Sequence, residues 1–287
     1  MTQESYRPLV AVAGATGAQG GAAARALLDQ GFRVRALTRT PDSAAAAALR
    51  ALGAEPAYAD FENRGSLDLA LKGADALFAM STPFGTDIDT EIRQGVALLE
   101  AAAGVGHIVF TSAAHADRDT GIPHFESKRR IERRLRTLGT PWTILGPAAF
   151  MDNYAGEWSM GGLREGRFVL PMPADRPLTL IPAQDIGAFA ALALARPQEF
   201  AGRRIDLASD ELTCPEIARV MTGVCGRPIR FEPLPLAEIE AYSADLAAMF
   251  RYFGEVGLEV DVAGLRRDHP QVGWQSFADW AGARTWA

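Results

Sequence analysis

Cysteine is almost missing from this chain. Cys214 and Cys225 are the only two, ten residues lie between them, and the four histidines form no cluster beside them. A disulfide framework and a zinc site are therefore not expected, and both thiols are read as reduced; no metal is expected. Long apolar runs are missing too: no stretch reaches the roughly 18 residues needed to span a bilayer. The first residues, MTQESYRPLV, lack the basic segment and apolar run of a secretory leader, so the expected location is cytoplasmic. Positive charge is in deficit, with 29 Lys and Arg against 35 Asp and Glu and a formal net charge of −6. That balance argues against a general affinity for nucleic acid or for an anionic membrane. Apolar residues are plentiful, at 48% of 287, enough for one large domain or two modest ones.

The most informative segment is GATGAQG at residues 14–20. It follows Leu9-Val10-Ala11-Val12-Ala13, a short apolar run of the kind found in a strand covered on both faces. It precedes GAAARALLDQ, which reads as a helix closed by Gly31. Glycines at 14, 17 and 20 suit a tight turn in which a side chain would block a pyrophosphate or prop the helix off the sheet. The free N–H groups and positive end of the helix complete an anion site, so a dinucleotide is expected here.

Further strands are expected at about 33–38, 54–58, 75–80, 107–111 and 142–146, with helices at about 42–52, 87–103 and 124–138. Strands alternating with helices imply an α/β fold with a doubly wound parallel sheet, whose ligand lies across the carboxyl ends of the strands. From about 151 the pattern changes, with Gly- and Pro-rich sequence that lacks a helical period. Residues 1–150, joined by a helix at 183–195 and a strand at 203–208, are expected to form the nucleotide-binding lobe. Residues 151–182 and 209–287 would form a smaller α+β lobe that includes a helix over 236–252.

An NAD site places a carboxylate at the end of the second strand, to hold the adenosine ribose. Here that position reads Leu37-Thr38-Arg39-Thr40. Arg39 can instead grip a 2′-phosphate through its planar fork of donors, which favours NADP(H). Asp60 and Phe61 follow the third strand, where they would meet the adenine. Ser81, Thr82, Pro83 and Phe84 close the fourth strand, and Thr111 and Ser112 the fifth, the last two facing the nicotinamide.

At 100° per residue, the segment PHFESKRRIERRLRTLG puts His124, Lys128, Ile131, Leu135 and Leu138 on one stripe, with Arg129, Arg130, Arg133 and Arg136 elsewhere. The arginines, with Glu126 and Glu132 among them, read as a solvated face. Lys128 shares the buried stripe close to the helix start. It gains nothing there from the macrodipole and loses hydration, so it needs a partner such as ribose hydroxyls.

The phosphate loop, the Thr38-Arg39 pair and HFESKRRIERRLRTLGTPWTILGPAAFMDN together resemble the NmrA-like branch of the atypical short-chain dehydrogenase/reductases. SDELTCPEIARVMTGVCGRPIRF and DLAAMFRYF resemble that branch's second lobe, so the likeness runs along nearly the whole chain. It implies an NADP(H)-binding Rossmann lobe with a small C-terminal lobe over the nicotinamide. The cofactor contacts it implies are Gly14, Thr16, Gly17, Ala18, Gln19, Arg39, Asp60, Phe61, Ser81, Thr82, Lys128, Ala148, Ala149, Phe150 and Met151; Gly20 completes the loop. The wider superfamily has Tyr four residues before the lysine, as the proton donor. This chain has His124 there. Proton transfer is thus open among His124, Lys128 (as in the similar benzylic ether and isoflavone reductases) and Tyr154, with Ser112 beside them; His124 equally suits a place against a bound ligand or at the helix start as a cap.

These readings lead to an NADPH-dependent reductase of a small apolar carbonyl, quinone or activated alkene, with Phe150, Trp158, Met249, Phe250 and Phe253 as pocket-forming groups. The alternative is a non-catalytic NADP(H) redox sensor that works through a homodimer or a regulatory protein partner. A nucleotide-sugar epimerase is disfavoured by the missing tyrosine.

Overall fold

The computed structural model describes residues 6–82 and 87–286. Its elements run β1 (Leu9–Val12), α1 (Ala18–Asp29), β2 (Arg33–Thr38), α2 (Ala44–Ala51), β3 (Glu55–Tyr58), α3 (Arg64–Leu71), β4 (Ala76–Met80), α4 (Ile88–Ala101), β5 (His107–Thr111), α5 (Pro123–Arg136) and β6 (Trp142–Pro147). They continue with β7 (Ala149–Phe150), α6 (Glu157–Arg164), β8 (Arg167–Leu170), β9 (Pro177–Ile181), α7 (Ala183–Ala195), α8 (Pro197–Phe200), β10 (Arg203–Leu207), β11 (Asp210–Thr213), α9 (Cys214–Cys225) and β12 (Arg230–Pro233). The chain ends with α10 (Leu236–Tyr242), α11 (Ala244–Glu255), α12 (Val262–Asp268) and α13 (Phe277–Gly282). Seven strands form one sheet in the order β10-β6-β5-β4-β1-β2-β3, and the pairings among β1 to β6 are parallel. This is the doubly wound α/β sheet expected from the alternation of strands and helices.

The chain divides into two compact units. The first holds the described residues up to Ser112, with Ser127–Gly146 and Ile186–Ile205; the second holds Ala113–Glu126, Pro147–Asp185 and the residues from Asp206 on. The core of the first unit is built from β-strand residues such as Ala11, Leu37, Leu77, Ile108 and Ile144, with Leu98 of α4 and Ile131 and Leu135 of α5 packed against them. The approach of α4 to α5 requires Gly95. A Cβ there would sit 2.6 Å from the Ile131 side chain.

In the second unit, β9 pairs antiparallel with β11 and parallel with β7, and β8 pairs with β12. Helix α9 is fixed by a capping box between Thr213 and Glu216. Tyr154 packs edge-on against Phe168 and Phe277 at ring separations of 5.3 and 5.9 Å. The phenol is fully part of this core, and burial pushes its ionisation far above the usual range. The expectation that Tyr154 reaches out as a proton donor is corrected by this packing.

Three elements differ from the sequence reading. Helix α3 was not expected. Asn63 opens it by accepting from the Ser66 N–H, and Leu67, Ala70 and Leu71 bury its inner face. The helix expected over 236–252 is two helices, broken at Ser243, whose backbone is extended and whose hydroxyl caps Leu246. Helix α1 begins at Ala18, three residues earlier than expected, so the glycine turn is continuous with its first turn.

Candidate functional site

The β1–α1 turn is made possible by two glycines with different duties. Gly14 has φ of +60°, the left-handed region, and an added Cβ there would meet the Met80 sulfur at 2.4 Å. At Gly20 a Cβ would meet the backbone oxygens of Gly14 and Ala13 at 2.3 and 2.5 Å, so only glycine lets α1 start against the strand end. Gly17 is different: its backbone is extended, and the nearest atom to an added Cβ is 3.4 Å away. The protein itself does not need a glycine at that position. Thr16, Gly17 and Ala18 are exposed, Gly17 is the N-cap, and no side chain caps the helix or places an acid in its first turn. The result is an open helix N-terminus with room for a bulky anion, which is the cradle a pyrophosphate needs. Gln19 lies beside it and accepts a 2.8 Å hydrogen bond from the Thr111 hydroxyl at the end of β5.

Arg39 is exposed just past β2 and, among the described residues, forms no ion pair or side-chain hydrogen bond. Arg35 is occupied differently: it donates to the Ala70 and Lys72 carbonyls and pairs with Glu55. Asp60 accepts from the Glu62 N–H in the turn into α3, and Phe61 packs on the core. Thr82 is exposed, and Pro83 and Phe84 lie outside the described residues. Ala148 and Met151 are buried and Ala149 and Phe150 half-buried around β7, all in the second unit.

The α5 stripe is as expected: His124, Lys128, Ile131 and Leu135 are all buried. What Lys128 meets is not. Its ammonium donates to the Ser81 carbonyl and hydroxyl, both at 2.9 Å, and to Glu91 at 2.7 Å. Glu91 is 1% exposed and also accepts from the hydroxyls of Ser81 and Ser127. Burial pushes the Lys128 ammonium below its usual range, against the opposing pull of Glu91. The sequence pattern alone does not single out Glu91, yet Glu91, Gly95 and Leu98 repeat at spacings of four and three on one buried face of α4, continued by the buried C-cap residue Ala102. That period was the available signal.

A second buried carboxylate corrects the arginine-face reading. Arg130, Arg133 and Arg136 are exposed as expected, but Glu132 is 2% exposed. It accepts from the Ser112 hydroxyl at 2.6 Å and pairs with Arg204 and Arg136 at 3.3 Å each. Ser112 is therefore joined to Glu132 rather than to Lys128. His124 meets Asp245: its ring Nδ1 lies 2.6 Å from the carboxylate, which also accepts from the His124 backbone N–H. Burial raises the Asp245 carboxyl, and the hydrogen bonds and charge of His124 outweigh that, leaving it below the usual carboxylate range. Of the expected pocket groups, Trp158 is largely exposed, Phe253 is buried, and Phe150, Met249 and Phe250 are half-buried. No cluster of three metal-binding side chains occurs among the described residues, and none of their helices is long and apolar enough to cross a membrane.

A parallel sheet that ends in an uncapped helix N-terminus behind a glycine turn defines a Rossmann-type protein. Residues 7–280 match the NmrA-like family, and the chain belongs to it. It is 33% identical over 228 residues to the (4-alkanoyl-5-oxo-2,5-dihydrofuran-3-yl)methyl phosphate reductase of Streptomyces griseus, covering 79% of this chain and 77% of that one. The NADPH-dependent quinone oxidoreductase of Escherichia coli, solved with NADPH, shares the fold with a TM-score of 0.79 and 24% identity, over 96% of this chain and 98% of the other. The negative transcriptional regulator NmrA, solved with NAD, shares it with a TM-score of 0.79 and 21% identity, over 96% and 94%.

Proposed function

We propose that this protein is an NADP(H)-dependent reductase of a small, conjugated carbonyl, quinone or activated alkene. One observation carries the reading: the open N-terminus of α1 at Thr16–Ala18 and the unengaged Arg39 both belong to the first unit, one suited to a pyrophosphate and the other to a 2′-phosphate. Gly14 and Gly20 shape the turn, Gly17 leaves it open, and Gln19 is steadied by Thr111. Asp60 and Phe61 would border the adenine, and Ser81 and Thr82 the sugar that follows. Bound NADPH supplies hydride. Lys128, held by Ser81 and Glu91, fixes the end of β4 against α5. The furanone named for the Streptomyces griseus relative carries a conjugated ring alkene, and the Escherichia coli neighbour is named for quinones; both are electrophiles of the class proposed.

The test is a titration of NADPH against NADH, followed by a panel of quinones, enones and aldehydes in the same cuvette. Tight NADPH binding with no acceptor accelerating its oxidation would refute the reductase reading. A second reading, a non-catalytic NADP(H) sensor, is favoured by one observation: all three hydrogens of the Lys128 ammonium are already directed at protein acceptors. A sensor should change its association state with the cofactor. Equal association of apo, NADP⁺ and NADPH samples would remove it.

A further inference from the structure

We infer that Thr111 is the positioning residue of Gln19, fixing that amide so that it offers hydrogens, and not its oxygen, to the pyrophosphate site at the start of α1. This rests on the NADP(H) site proposed above and adds to it a residue from β5, two strands away from β1 in the sheet. Both residues belong to the first unit. Gln19 is the second residue of α1 and is half-buried. Side chains on a helix lean back toward its N-terminus, so an amide at this position sits near the open end. The first helical bond runs from the Gly21 N–H to the Gly17 carbonyl, and the N–H groups of Ala18, Gln19 and Gly20 stand ahead of it. Those donors suit an anion, and a side chain beside them helps only if it donates too. A glutamine amide can do either, because its oxygen and nitrogen are alike in shape and opposite in hydrogen bonding. An oxygen turned toward the pyrophosphate would repel it.

Thr111 makes the choice between the two. It is the last residue of β5, is 2% exposed, and its hydroxyl donates to Gln19 Oε1 at 2.8 Å. A buried hydroxyl has one hydrogen to place, and here its acceptor is the amide oxygen. The reversed amide would direct an N–H at the hydroxyl oxygen and take that acceptor away. With Oε1 engaged, both hydrogens of Gln19 Nε2 remain, and among the described residues they meet no protein acceptor. The strand pair beneath the turn holds it at a second point. The β4–β5 register sets Met80 opposite Thr111, and the Met80 sulfur packs against Gly14, where an added Cβ would lie 2.4 Å from it. The phosphate turn is thus seated by an apolar contact at its first glycine and aimed by a hydrogen bond at its helix start.

The experiment titrates wild type and variants with NADPH and with adenosine 2′-monophosphate, which keeps the adenine and the 2′-phosphate and has no pyrophosphate. Thr111→Val keeps the side chain's shape and removes the hydroxyl. It should weaken NADPH binding at least about tenfold, the loss of one aimed hydrogen bond to a charged group, and leave adenosine 2′-monophosphate within about twofold. Thr111→Ser keeps the hydroxyl and should bind NADPH within about threefold of wild type. Gln19→Leu should lose as much as Thr111→Val, and the double variant no more than Gln19→Leu alone, because the two side chains act as a unit. Gln19→Glu keeps an oxygen for Thr111 and puts a charged oxygen in place of the donating nitrogen, so it should lose more NADPH affinity than Gln19→Leu. In ¹H–¹⁵N spectra of wild type, the Gln19 side-chain NH₂ pair, identified by its loss in Gln19→Leu, should shift with NADPH and stay in place with adenosine 2′-monophosphate. These last two readouts stand whether or not Thr111→Val folds. Equal losses of both ligands in Thr111→Val, additive losses in the double variant, or wild-type NADPH affinity in Gln19→Glu overturns the inference and leaves the NADP(H) reading intact. If wild type does not bind NADPH, that reading fails and this inference fails with it.

Discussion

Replacing Glu91 by Gln should expose how the first unit holds a buried lysine. The substitution keeps the side chain's shape and an acceptor for Lys128, and removes only the negative charge. Glu91 and Lys128 are 1% and 6% exposed, and their charged atoms lie 2.7 Å apart. Leaving one member of such a pair buried without its partner costs about 3 to 5 kcal/mol, a large part of a typical stability of about 5 to 15 kcal/mol. The penalty should depend on pH, with a defined sign. Burial already holds the Lys128 ammonium below its ordinary 10.5, and Glu91 opposes that shift, so its removal lowers the value further. Between the folded value and 10.5 the unfolded chain binds a proton that the folded chain does not, so stability climbs with pH through that window. Urea unfolding should therefore show a greater loss for Glu91→Gln at pH 6 than at pH 9. The double variant Glu91→Leu with Lys128→Met should recover most of it, because a well-packed apolar pair replaces a buried ion pair at little cost. A loss under about 1 kcal/mol, equal at both pH values, would refute the reasoning.

Arg39→Ala should weaken NADPH binding by about 1.5 to 3 kcal/mol and leave NADH binding nearly unchanged, since a charge-assisted contact of that size goes to the 2′-phosphate alone; equal losses in parallel titrations would remove that assignment. Gly20→Ala should destabilise the fold by about 1 to 3 kcal/mol or more, because its Cβ meets backbone at 2.3 Å. Gly17→Ala, with 3.4 Å of room, should melt within a few degrees of wild type yet lose NADPH affinity at least about tenfold; unimpaired binding would show that the anion sits elsewhere. His107 is buried against Thr143, and burial holds its imidazole at about 4 instead of 6.5. Its contribution is complete above 6.5 and should fall away by about 3 kcal/mol as the pH drops toward 4, a slope in urea midpoints that His107→Gln should flatten.

Local features were legible in the sequence and long-range pairings were not. The glycine turn, Arg39 in place of an acid, and the stripe from His124 to Leu135 each depend on a few neighbouring positions and a helical period. The α3 helix escaped because it is short and opens with Arg64 and Gly65, with only its second turn showing an apolar face. The break at Ser243 escaped because a capping hydroxyl within an otherwise helical pattern looks like a tolerated helix residue. Glu91 and Lys128 are 37 residues apart, and no period within α5 could have named the carboxylate that meets the lysine. Glu132 falls on a helix face that reads as solvated, because a helical wheel shows where a side chain points and not what waits there. Arg204 and Ser112, from β10 and the end of β5, are what turned that direction into a buried site.

The two hidden carboxylates have a common effect on the strand ends. The Ser81 hydroxyl donates to Glu91, and the Ser112 hydroxyl donates to Glu132. A hydroxyl has one hydrogen, so each serine, once its hydrogen is fixed in this way, has only oxygen lone pairs left for any other partner. Ser81 already uses that capacity to accept from Lys128. Ser112 can accept a hydrogen bond from a ligand but gives none while its hydrogen is directed at Glu132. Glu132 also pairs with two guanidinium groups, of Arg204 and Arg136. The same two carboxylates that anchor α4 and α5 to the sheet thus occupy the hydroxyl hydrogens of Ser81 and Ser112.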